Sequence, residues 1–100
     1  MSTFDGSRQD DVDGRLRGLL IELGHLLTPV TVGLTHEMID ASESPIALDM
    51  MSEMLVEAGA SLDRRTVDEV ADLATAMGLG REAAARLEPL VRERRREGDT

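Results

Sequence analysis

Residues 44–59 read SPIALDMMSEMLVEAG. Within them Ala47, Met50, Met51, Met54, Leu55 and Ala58 recur three and four positions apart. That spacing lays one apolar stripe along an α-helix. Ser44-Pro45 marks the start, because the fixed φ of proline suits the first helical turn. Gly59 marks the stop, because glycine accepts the left-handed conformation that commonly ends a helix. The pattern predicts a helix over 45–58, and the same punctuation recurs on both sides of it.

Downstream, Asp63 stands as an N-cap before a helix predicted over 64–77, with Val67, Val70, Ala71, Ala74 and Met77 inward. Leu62 and Val67 have the spacing of a hydrophobic staple, and Gly78 closes the segment. A fifth segment starts near residue 81, with Ala84, Leu87, Leu90 and Val91 inward. Pro89 lies inside it and predicts a kink near Glu88. Upstream, Thr28-Pro29 opens a helix over 29–41, with Val30, Leu34, Met38 and Ala41 expected inside. Val12, Leu16, Leu19, Leu20, Leu23, Leu26 and Leu27 stripe a first helix over 10–27. Gly14, Gly18 and Gly24 weaken it, so it needs tertiary packing. The expected fold is all-α, a compact bundle of four to five short amphipathic helices. Residues 1–9 are expected to be disordered, 10–96 to form a single helical domain, and 97–100 to fray.

The totals agree with that class. One hundred residues make one domain. Phe4 is the only aromatic residue, so the core must be aliphatic, and few β-branched or aromatic runs remain for strands. Met38, Met50, Met51 and Met54 read as core at this spacing. There is no cysteine, which excludes disulfides and thiolate chemistry. The most apolar run, near 18–34, is broken by Glu22, His25, Pro29 and several glycines, so no membrane span is expected. The start, MSTFDGSRQDDVDG, lacks the charge and apolar centre of a secretion signal, and a cytoplasmic protein is expected.

Catalytic groups are sparse. His36 and Asp40 are an i, i+4 pair, but two ligands do not make a metal site. Ser42 and Ser44 have no nearby base. The carboxylates fall on exposed helix faces, whereas general-acid work needs a desolvated one. No phosphate-binding glycine loop is present. Asp40-Ala41-Ser42 breaks the Asp-Ser-Leu pattern that an acyl carrier needs. The chain reads as a non-enzyme with no cofactor and no metal.

Charge is the feature left to explain. The net charge is −9, and from Gly18 through Asp63 there are 8 acids and no Lys or Arg. Phosphate repels such a surface, so nucleic acid is not the expected partner, whereas a basic protein is. Asp49, Glu53 and Glu57 lie four apart on one helix face. Like charges at that spacing cost about 0.2–0.5 kcal/mol per pair. A cationic partner converts that penalty into attraction and fast encounter.

The run IDASESPIALDMMSEMLVEAGASLDRRTVDEVADLATAMGL resembles the small immunity proteins of the MafI type. The matching pieces are Ile39-Asp40, Glu43, Ala47-Leu48-Asp49, Leu55, Leu62-Asp63, Leu73-Ala74 and Met77-Gly78-Leu79. The resemblance covers about residues 16–91. Ser44-Pro45 and the absence of a late aromatic residue depart from the family's pattern. The resemblance implies a cytoplasmic antidote that binds a cognate toxin domain, often a nuclease, one-to-one as a monomer. Taken with the charge, it points to Glu37, Asp40, Glu43, Asp49, Glu53 and Glu57 as partner-binding residues. Asp68, Glu69 and Asp72 stand in reserve. The alternative is a helical homo-oligomeric or regulatory adaptor that binds a basic protein.

Overall fold

A computed structural model describes the backbone of residues 3–92 and the side chains of residues 9–92. The fold is an all-α bundle. Five α-helices follow one another: α1 (Thr3–Leu23), α2 (Pro29–Asp40), α3 (Ser44–Ala58), α4 (Arg64–Ala76) and α5 (Glu82–Leu87). Short 3₁₀ turns follow α1 (Gly24–Leu26) and α5 (Glu88–Leu90). Among the described residues there is no strand, only an isolated parallel bridge between Leu62 and Val91. No helix among them is long and apolar enough to cross a membrane.

Local chemistry sets most of the boundaries. The Thr28 hydroxyl accepts the Thr31 N–H at 3.1 Å, and Pro29 occupies the first helical position of α2. Gly59 takes φ +64 and Gly78 takes φ +79, both in the left-handed region that glycine enters at no steric cost. The N–H of Ala60 then returns to the Leu55 carbonyl, and that of Leu79 to the Ala74 carbonyl. Asp63 does stand at the N-cap of α4, but its side chain makes no capping hydrogen bond.

Ser42 performs the glycine task without being glycine. It ends α2 at φ +64 and lets the Glu43 N–H reach the Met38 carbonyl at 2.8 Å. A left-handed non-glycine residue costs about 1–2 kcal/mol. Ser42→Gly relieves that strain and gives back part of it as unfolded-chain entropy. The expected result is a net gain of about 0.5–1 kcal/mol in urea unfolding. A loss of stability would show that the serine side chain holds the turn.

The core is one contiguous aliphatic cluster. Leu16 and Leu20 of α1 meet Leu48, Met51 and Leu55 of α3, Val67, Val70 and Leu73 of α4, and Leu87 of α5. Every one of these is essentially inaccessible. Helix α3 is central, packed against α2, α5, α1 and α4. Its buried side runs through Ser44, Ala47, Leu48, Met51, Ser52 and Leu55. Met50 and Met54 are therefore only half-buried, and Ala58 is exposed.

Three expectations are corrected. The first helix begins at Thr3, so it takes in most of the segment 1–9 expected to be disordered. Once a helix is nucleated, each added residue gains a hydrogen bond at little further cost. Gln9 also donates to Asp13 at 3.0 Å one turn along. The fifth segment does not kink and continue but ends at Leu87, two residues before Pro89. Proline lacks the N–H and crowds the carbonyl four residues back. The third correction concerns α2, whose buried side is Thr31, Thr35 and Ile39. Val30 is 71% and Leu34 44% exposed. The threonines can face the core because their hydroxyls are satisfied. Thr35 donates to the Thr31 carbonyl at 2.7 Å, and Thr28 donates to the Thr31 hydroxyl at 3.0 Å. The expected end of the domain at residue 96 and the frayed tail at 97–100 lie outside the described residues.

Beyond α5 the chain is latched back onto the start of α4. The Leu62 N–H donates to the Leu90 carbonyl and the Arg92 N–H to the Leu62 carbonyl. Arg64 clasps Glu88 through two hydrogen bonds of 3.0 and 2.9 Å. Those bonds hold the Glu88 carboxyl below the usual glutamate range, against a smaller opposing effect of desolvation. A carboxylate depressed in the folded state adds stability above its unfolded pKa, and that stability is lost as pH falls through the folded value. Melting temperature followed into acid should thus fall less steeply for Glu88→Gln than for the parent chain. Parallel curves would show that the clasp adds nothing.

Candidate protein-binding surface

Helices α2 and α3 form an αα-hairpin joined by residues 41–43. They run antiparallel, so the start of α2 lies beside the end of α3. Thr28 and Thr31 accordingly share a cavity wall with Met54 and Glu57. Each helix presents a solvent-facing stripe with the spacing i, i+4, i+7, i+11. On α2 the stripe is Val30, Leu34 and Glu37, continued by Ala41 at the C-cap, all exposed. On α3 it is Ile46, Met50, Glu53 and Glu57, with only Met50 half-buried. In each stripe the large aliphatic residues precede the glutamates. The antiparallel pairing therefore sets the aliphatic start of one helix beside the acidic end of the other. Each end of the hairpin thus carries both exposed apolar and exposed acidic residues.

The six acids singled out in the sequence are divided by the tertiary structure. Arg17 of α1 reaches Asp40, Nη2 to Oδ1, at 2.5 Å. Arg86 of α5 is hydrogen-bonded to Asp49. These two acids are already neutralised within the chain. Sequence alone leaves the ridge without a nearby base, and folding supplies one from 37 residues away. Glu37, Glu43, Glu53 and Glu57 are exposed, and no arginine among the described residues lies within ion-pair distance. Glu43 stands at the N-cap of α3 but makes no side-chain capping bond. The N-terminus of α3 is instead approached by Asp13 of α1, which accepts the buried Ser44 hydroxyl at 2.5 Å.

The reserve acids of α4 are paired. Arg15 holds Glu69 at 3.2 Å and Asp72 at 3.3 Å, and Arg64 lies 3.7 Å from Asp68. Desolvation lowers the Arg15 pKa, but the combined pull of Glu69 and Asp72 outweighs it and the net shift is upward. Glu69 and Asp72 join α4 to α1, Asp68 pairs within α4, and all three are less free to take a partner's charge.

The His36–Asp40 pair is likewise engaged, since Arg17 sits between the two, with Nη1 3.4 Å from the His36 Nδ1. Among the described residues no three His, Asp or Glu side chains gather as metal ligands. The exposed aliphatics Val30, Leu34 and Ile46 were missed as surface residues in the sequence. Val30 and Leu34 have the same four-residue spacing as Thr31 and Thr35, and apolarity alone chose the wrong stripe. Comparison of the chain with protein-family models, curated proteins and solved structures finds no match.

Proposed function

We propose that the protein is a non-enzymatic immunity protein that acts in the cytoplasm. It binds a cationic toxin domain, a nuclease as the leading class, one-to-one through the outer face of the α2–α3 hairpin. One observation carries this reading. Four glutamates without an ion-pair partner among the described residues, Glu37, Glu43, Glu53 and Glu57, stand on the same hairpin as the exposed aliphatic residues Val30, Leu34 and Ile46. Exposed glutamates alone would serve solubility. Large exposed aliphatics interleaved with them serve an interface, where apolar contact gives affinity and charge gives encounter rate and selectivity. A nuclease presents a basic groove to its phosphate substrate, and this face is complementary to it. The resemblance to MafI-type proteins supports the choice of a toxin over other basic partners.

The test is a titration against the toxin domain encoded beside this gene, at low and high salt, with toxin activity followed in parallel. Tight, salt-sensitive binding that silences the toxin is expected. The second reading is a homo-oligomeric or regulatory adaptor, favoured by the same exposed aliphatics. It predicts self-association in sedimentation and no toxin binding at either salt.

A further inference from the structure

Between the 3₁₀ turn after α1, the start of α2 and the end of α3 lies a cavity of about 240 Å³. Leu26, Leu27, Met54 and Ala58 give it aliphatic walls, Thr28 and Thr31 lie on one side, and Glu57 carries the only carboxylate among the described residues that line it. We propose that this notch is the socket for a single arginine side chain of the protein partner. The inference rests on the protein-binding reading of the hairpin and names the residue that anchors it.

Three features select a cation with an apolar stem. Glu57 has no ion-pair partner among the described residues. It also lies in the last turn of α3, which holds no basic residue. A negative charge there opposes the helix dipole. The backbone carbonyls of Glu57 and Ala58 accept no backbone hydrogen bond among the described residues, whereas those of Leu55 and Val56 are taken by Ala60 and Gly59. A cation seated at this corner would meet both the carboxylate and the negative end of the helix. The start of α2 nearby has fewer free N–H groups than an uncapped helix. Pro29 has no N–H, and the Thr31 N–H is taken by the Thr28 hydroxyl.

Arginine fits better than lysine. Its planar fork of five donors can engage a carboxylate and neighbouring carbonyls together, and its stem packs on aliphatic walls. The notch adjoins Val30 and Glu53 by helical register, so a partner helix lying on the hairpin face could deliver the side chain at its edge.

The probe is propylguanidinium, titrated into the ¹⁵N-labelled protein. Saturable shifts are expected at the amides of Leu27, Thr28, Thr31 and Ala58. Glu57→Gln should weaken them by about tenfold, the loss of one charge-assisted contact, while Glu82→Gln on α5, away from the hairpin face, leaves them unchanged. Both residues are exposed, so neither change threatens the fold. Shifts that survive Glu57→Gln, or spread evenly over all the acids, would overturn the socket. Butylammonium binding as tightly as propylguanidinium would overturn the choice of arginine. The toxin titration contains no such probe. Its failure would dismiss the hairpin interface, whereas failure here with toxin binding intact would dismiss the socket alone.

Discussion

Replacing Glu37, Glu43, Glu53 and Glu57 by glutamine together slows association with the cationic partner by about 10- to 100-fold and removes most of its salt dependence. Electrostatic steering raises association rates by that order, and charges at the rim of an interface act mainly on the on-rate. Asp40 and Asp49 are left in place, because Arg17 and Arg86 already neutralise them. The companion variant neutralises both members of each pair, Arg17 and Arg86 to glutamine with Asp40 and Asp49 to asparagine, so it leaves the net charge unchanged and should do little to the on-rate. It would remove two contacts that tie α2 to α1 and α3 to α5. The pair of variants separates charge that is free for a partner from charge spent inside the bundle. Stopped-flow binding at two salt concentrations measures both. An unchanged on-rate in the four-glutamate variant, with its salt slope intact, would remove the hairpin face from the interface.

Leu48→Ala lowers the unfolding free energy by about 3 kcal/mol, within the range of 2–5 kcal/mol for emptying a packed leucine site. Leu48 is fully buried at the centre of the cluster that joins α1, α3, α4 and α5. A chain of this size has about 5–15 kcal/mol in total, so the loss is a large fraction and the melting temperature drops accordingly. Val30→Ser with Leu34→Ser behaves in the opposite way. Both residues are on the exposed stripe of α2, and the doublet should change stability by less than about 1 kcal/mol. Partner affinity should fall about tenfold or more as apolar contact is lost. Had α2 buried the face that apolarity picks out, the doublet would instead unfold much of the protein. Urea unfolding beside a binding curve reads both effects. A doublet as destabilising as Leu48→Ala would mean that α2 is packed the other way round.

The helix ends were legible because their causes are local. Thr28-Pro29, Ser44-Pro45, Gly59 and Gly78 act through hydrogen bonds and φ preferences within a turn of themselves, and each stands at a boundary in the structure. The aliphatic face of α1 was legible too. Val12, Leu16, Leu19, Leu20 and Leu23 are all buried, and no polar stripe of comparable shape competes with them. Pro89 was read as a kink when it closes a helix. With only the six residues Glu82–Leu87 before it, α5 had too few bonds to carry a helix past the missing N–H.

By itself, then, the sequence determined an all-α chain, its five helical segments, the residues that break them, and an acid-rich middle without lysine or arginine. Tertiary structure alone decided which stripe of α2 faces inward and which acids of the hairpin are paired. The first choice turns on threonine hydroxyls that find acceptors one turn back, which lets a less apolar stripe fill the core. The second turns on Arg17 and Arg86, which reach Asp40 and Asp49 only when α1 and α5 pack beside the hairpin. Periodicity reports what neighbours in sequence share. Burial and charge pairing depend on what neighbours in space provide, and those neighbours come from distant helices.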